Sequence, residues 1–126
     1  MIRLTWALLI AIALWPAQAR AAEAADFSEA AFAQAQQGNG LVVVETYAPW
    51  CLPCKLQAPL FEKAMKQPEF RSMNVFRVVE KTPPAVWKRL RITGFGTVVV
   101  FRNGREVARG TPTTEKDLFA LLRRKS

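Results

Sequence analysis

Along the chain the spacing of apolar and polar positions changes several times, and each change marks an element. Leu41 to Thr46 is an apolar, β-branched run interrupted only by Glu45, the pattern of a strand covered on both faces. Glu45 is the anomaly, a carboxylate where a buried strand wants apolar residues. Further on, Leu56, Leu60, Phe61, Ala64 and Met65 recur at helical spacing. Pro59 falls inside that run, so a kink is expected there, and Gln67-Pro68 marks its end. Val75 to Val79 predicts a second strand with Arg77 within it, Pro83-Pro84 opens a short helix through Leu90, and Thr97 to Phe101 predicts a third strand. Asn103-Gly104 is the favoured two-residue hairpin loop, so Glu106 to Arg109 pairs back on that strand. A last helix begins at Thr114-Glu115-Lys116-Asp117 with a capping-box pattern, and Arg123, Arg124 and Lys125 lie at its end, where cations suit the dipole.

Ahead of the first strand, Asp26-Phe27-Ser28-Glu29 offers cap residues, with Glu29 three beyond Asp26, and Ala30 to Gln37 reads as a short helix ended by Gly38-Asn39-Gly40. Glu23-Ala24-Ala25 reads as a frayed lead-in. The order is a leading helix, then βαβα, then ββα, without repeats or linkers. It predicts an α/β fold with a central mixed sheet and helices on both faces.

The first residues obey a different rule. Arg3 is a small basic head, residues 4–15 form an apolar core, Pro16 breaks it, and Ala17-Gln18-Ala19 and Ala19-Arg20-Ala21 both fit small-x-small cleavage. Residues 1–21 therefore read as a secretory signal peptide, cleaved after Ala19 or Ala21, with residues 22–126 as one domain. The apolar core falls short of the roughly 20 residues a membrane span needs, which disfavours an uncleaved anchor. The expected location is the periplasm, where disulfides form and persist.

At 126 residues, 51% of them hydrophobic and 22% charged, the chain is globular rather than disordered. Its net charge is +8, or +6 without Arg3 and Arg20. The basic residues are scattered and form no block with interleaved aromatics, so no nucleic-acid partner is expected.

Both cysteines lie in Trp50-Cys51-Leu52-Pro53-Cys54-Lys55, between strand and helix. Two thiols spaced i and i+3 at a helix opening can close on each other. Pro53 suits the first turn, and the positive end of the helix favours thiolate at Cys51. A reactive dithiol is the leading reading. Half of a zinc site is the usual alternative, but the chain has no third Cys and no His. A structural disulfide is another, although so short a loop removes little chain entropy.

These residues resemble the thioredoxin-fold family of thiol–disulfide oxidoreductases. Trp50-Cys51-Leu52-Pro53-Cys54-Lys55 stands where the family has Trp-Cys-Gly-Pro-Cys-Lys. Ala58-Pro59 matches its kinked helix, and Phe101-Arg102-Asn103-Gly104 its Phe-Lys-Asn-Gly hairpin. Glu45 falls where the family keeps a buried aspartate and Arg77 where it keeps a lysine facing that acid. The resemblance implies Cys51 as an exposed nucleophile, Cys54 as the buried resolving thiol, and Glu45 as the proton acceptor for Cys54. It implies supporting roles for Lys55 and Arg77, and a substrate-binding rim of Trp50, Leu52, Pro53, Phe95 and Gly96.

Gly96, before Thr97, departs from the family pattern by replacing a cis-proline. A cis bond before a non-proline residue costs about 2.5–4 kcal/mol, so Phe95–Gly96 is expected to be trans. Glycine there is expected to widen the substrate groove or admit a metal, or simply to tolerate the required dihedrals. The implied function is exchange with protein disulfides as a reductant, as a monomer without a cofactor or bound metal, with a membrane electron-relay reductase as donor. The alternatives are a Cu(I)-handling module using the two thiolates and a non-catalytic adaptor, which the intact cysteine pair disfavours.

Overall fold

The computed structural model describes residues 24–126, so the expected signal peptide lies outside the described residues. Five strands, β1 (Ala24–Asp26), β2 (Leu41–Thr46), β3 (Asn74–Val78), β4 (Val98–Arg102) and β5 (Arg105–Gly110), form one sheet in the order β1-β3-β2-β4-β5. β1, β3 and β2 run parallel, while β4 is antiparallel to β2 and β5 to β4. Four helices cover it: α1 (Glu29–Gln36), α2 (Leu52–Met65), α3 (Pro84–Arg89) and α4 (Glu115–Leu122). Among the described residues no helix is long and apolar enough to cross a membrane.

The continuous apolar run of β2 reflects its central place. Side chains alternate across a strand. Leu41 and Val43 enter a core with Phe61 and Ala64 of α2 and Leu118 and Leu122 of α4. Val42 and Val44 enter a second core with Phe32 of α1 and Val86 of α3. Each face of the sheet thus has its own helix pair, as expected. By the same alternation Glu45 belongs to the face that α2 covers.

The strand and helix boundaries fall within two residues of expectation, with the exception of the N-terminal edge, and α2 opens at the cysteines with Pro53 in its first turn, as expected. Ala24–Asp26 is not a frayed lead-in but an edge strand, paired with Val75–Arg77 of β3. Alanine-rich sequence carries little strand preference, and the pairing is fixed from outside: the Phe27 N–H donates to the Arg77 carbonyl (2.9 Å), and the Phe27 ring packs on Phe32 and Phe76. Asp26 is thereby committed to the strand, and Ser28 caps α1 instead, its hydroxyl accepting from the Ala31 N–H. The hairpin forms as read, with Asn103 and Gly104 at φ 52° and 74°, the conformation of the primed turn. Thr114 caps α4 by accepting from the Asp117 N–H at 3.2 Å.

Two arginines in neighbouring strands finish two helices. Arg102 of β4 donates to the carbonyls of Leu122 and Arg124 beyond α4, and Arg109 of β5 to those of Leu90 and Arg91 beyond α3. The orphan carbonyls at a helix end need such donors. Part of the basic charge is therefore structural.

Candidate active site

α2 begins four residues earlier than its apolar spacing shows. Cys51 is its N-cap, with its Sγ accepting from the Cys54 N–H at 3.3 Å, and Pro53 lies in the first turn, where its missing N–H leaves no helical bond unmade. Cys51 and Cys54 form a disulfide across this turn, their Cα atoms 5.3 Å apart. Among the described residues no group of three or more His, Cys, Asp or Glu could hold a metal, so the Cu(I) reading gains no ligand beyond the two sulfurs.

Cys51, expected to be the exposed member, is only 4% exposed in the disulfide form, and Cys54 is 2% exposed. The bridged sulfurs pack with Ala48, Tyr47 and Phe95. The surrounding rim is what faces solvent. Trp50 and Leu52 are each 66% exposed, and Leu56, one turn on from Leu52, is exposed as well. Large apolar groups left in water beside a buried disulfide mark a contact surface rather than a fold requirement. Lys55 is exposed on the same turn.

Trp50 is held in place although exposed. Its indole Nε1–H donates to Glu80 Oε1 at 2.6 Å, and its ring stands edge-on to Phe95, 4.9 Å between centroids. Trp87 of α3 packs on Phe95 at 5.0 Å. Phe95 is thus one member of an aromatic row, Trp50–Phe95–Trp87. Glu80 and Trp87 carry no sequence signal as site residues, because only folding brings them beside the cysteines.

Phe95–Gly96 is trans, as are all described peptide bonds. Gly96 has φ +88°, in the left-handed region that favours glycine. Of the alternatives, tolerance of the required dihedrals is the one this φ supports. A Cβ built there would lie 3.0 Å from Pro53 Cβ and 3.2 Å from Thr111 Cγ2. The glycine lets the Gly94–Thr97 turn close onto the helix between the two cysteines. Thr111, in the loop after β5, joins the site at the same point.

Glu45 is 3% exposed and accepts from Arg77 Nε at 2.7 Å. Register explains the pair, since Glu45 and Arg77 are directly opposed between β2 and β3. The Arg77 guanidinium also lies 4.5 Å from the centre of the Tyr47 ring. Burial pushes the Glu45 carboxyl above its ordinary value, against the charge and hydrogen bond of Arg77, which pull it down. The folded protein therefore keeps this proton at pH values where the unfolded chain has released it. The stability Glu45 contributes is complete below its unfolded pKa of about 4.3 and is lost as pH rises through the raised value. Glu45→Gln is expected to raise the urea midpoint at pH 7 and to flatten its pH dependence above about 4.3. A lower or unchanged midpoint at pH 7 would show that the ion pair outweighs burial.

Gln57 was not legible as a site residue. It is 1% exposed, in the buried stripe Cys54–Gln57–Phe61–Ala64 of α2, and its Nε2 donates to the Gly96 carbonyl at 2.7 Å. Its Oε1 is buried without a partner, and an unmet buried acceptor costs about 1–3 kcal/mol. A glutamine at i+3 from Cys54 amid apolar positions was the available signal.

A disulfide at a helix N-terminus, a buried acid on the adjoining strand and an exposed apolar rim define a thiol–disulfide oxidoreductase. The sequence model of the thioredoxin family, described as "Thioredoxin", matches residues 23–124. Thioredoxin of Chlamydia trachomatis is 28% identical over 84 residues, 67% of this chain and 80% of that one. Human protein disulfide-isomerase A4 is 39% identical over 67 residues, 52% of this chain but 10% of that one. The crystal structure of Trxlp from Edwardsiella tarda superposes with a TM-score of 0.76 at 35% identity, covering 81% of this chain and all of that one. The chain belongs to the thioredoxin family, which implies protein disulfides as its substrates.

Proposed function

We propose that the protein is exported to the periplasm and acts there, as a monomer, as a reductant of protein disulfides. Cys51 as thiolate attacks a substrate disulfide, forming a mixed disulfide and releasing one substrate thiolate. Cys54 passes its proton to ionised Glu45 and attacks the Cys51 sulfur. The substrate leaves as a dithiol, its two electrons coming from the Cys51 and Cys54 sulfurs and its two protons from solvent and from Glu45, which returns to its ionised form, and the protein is left with the Cys51–Cys54 disulfide. A membrane electron-relay reductase then restores the dithiol. Burial raises the Glu45 pKa, which makes its carboxylate a stronger base towards the Cys54 proton than an exposed one.

The observation that carries this reading is the Cys51–Cys54 disulfide on the first turn of α2 beneath exposed Trp50 and Leu52. Export is supported by the basic head, apolar core and small-x-small sites of residues 1–21. Trapping thiols by alkylation in intact cells, followed by fractionation, tests location and direction together. The expected form is a periplasmic protein with Cys51 and Cys54 both alkylated. A cytosolic protein, or a pair held as disulfide at steady state, would contradict the proposal.

A further inference from the structure

We propose that Gln57 is a positioning residue for substrate docking, its side-chain amide clamping the Gly96 carbonyl so that the Phe95–Thr97 turn is fixed against the disulfide end of α2. This rests on the reading that Cys51 and Cys54 exchange with protein disulfides at this face.

Glycine supplies no ring or side chain to fix its own dihedrals, and its freedom must be removed by contacts. Around Gly96 those contacts are side-chain donors to successive carbonyls. Thr97 Oγ1 donates to the Gly94 carbonyl at 2.8 Å, Gln57 Nε2 to that of Gly96 at 2.7 Å, and Thr46 Oγ1 to that of Thr97 at 3.2 Å. Only the Gln57 bond ties the turn to α2, the helix that carries the cysteines. Gln57 lies one helical turn beyond Pro53, so the two share a face, and Pro53 is the residue a Gly96 Cβ would strike. The turn therefore sits on a two-point seat, held by contact at one point and by a hydrogen bond at the other.

Stability alone does not account for a glutamine here. Its Oε1 has no partner, whereas an apolar side chain would continue the stripe of Cys54, Phe61 and Ala64 and leave no such oxygen. What the amide controls is the turn, and through the turn Phe95, on which the exposed Trp50 ring rests. The sulfurs themselves are placed by the helix terminus. Loss of the clamp is therefore felt by a protein that must dock on the Trp50–Phe95 rim more than by a small disulfide that needs only the sulfurs.

Gln57→Met keeps length and burial but has no donor. Against insulin, its KM is expected to rise about five-fold with kcat within two-fold of wild type, while the rate with 5,5′-dithiobis(2-nitrobenzoate) stays within two-fold. A purely structural role would lower both rates together, and that result, or an unmoved insulin KM, would overturn the proposal. In the unaltered protein the Gln57 side-chain amide protons are expected to exchange slowly with solvent, and fast exchange would overturn the clamp without any variant. If wild-type protein fails to reduce insulin, the function reading itself falls; if it succeeds while the KM of Gln57→Met is unmoved, only the clamp does.

Discussion

Cys51→Ser protein is expected to reduce insulin no faster than the uncatalysed background. The reaction needs a sulfur that can enter and leave a disulfide, and a serine hydroxyl offers neither a comparable anion at neutral pH nor a disulfide to form. In the proposed mechanism the first attack falls to Cys51 for a positional reason. It is the N-cap of α2, beside exposed Trp50, with the helix N-terminus favouring its anion, whereas Cys54 lies deeper in the first turn. Cys54→Ser should also halt turnover, at a later step, because the mixed disulfide on Cys51 then has no internal thiol to resolve it. Burial of Cys51 in the disulfide form does not oppose this order, since attack comes from the dithiol. Retention of the wild-type rate by Cys51→Ser would remove the assignment.

Gly96→Ala is expected to destabilise the fold strongly for the addition of a single methyl group. An L-residue at φ +88° sits in a sparsely populated region that costs on the order of 1–3 kcal/mol. Its Cβ would also come 3.0 Å from Pro53 Cβ, whose ring has no rotamer to yield, and 3.2 Å from Thr111 Cγ2. Overpacking of this kind adds about 1–3 kcal/mol, so a combined loss of about 2–6 kcal/mol in urea unfolding is expected, together with weaker insulin reduction. Gly94→Ala is the matched control, two residues away with nothing within 4 Å of its built Cβ. A Gly96→Ala midpoint equal to that of Gly94→Ala would contradict the close seat of the turn on Pro53.

Much of this site is written locally. Cys51 and Cys54 bound a four-residue stretch at one helix turn, and Glu45 betrays itself as a charge in a strand whose two faces are both apolar. The hairpin is legible for the same reason, since Asn103-Gly104 alone determines its turn. The start of α2 is legible from Pro53 and the cysteine spacing rather than from apolar period, which Leu52 to Lys55 lack, and the N-cap geometry of Cys51 bears it out. β1 was hidden because Ala24–Asp26 becomes a strand only by pairing with β3. The tight seat of Gly96, the clamp from Gln57 and the Trp50–Glu80 bond join residues 30 to 43 positions apart, between elements that meet only after the sheet forms. Local sequence pattern says which residues are unusual; packing says what each one touches.

Mass-spectrometric mapping of Cys54→Ser protein after reaction with a disulfide-bonded substrate tests the two-thiol mechanism most directly. The account predicts a stable adduct joining Cys51 to a substrate cysteine, dissolved by dithiothreitol and absent from Cys51→Ser. Failure of Cys51 to form any adduct, with the substrate disulfide left intact, would contradict it.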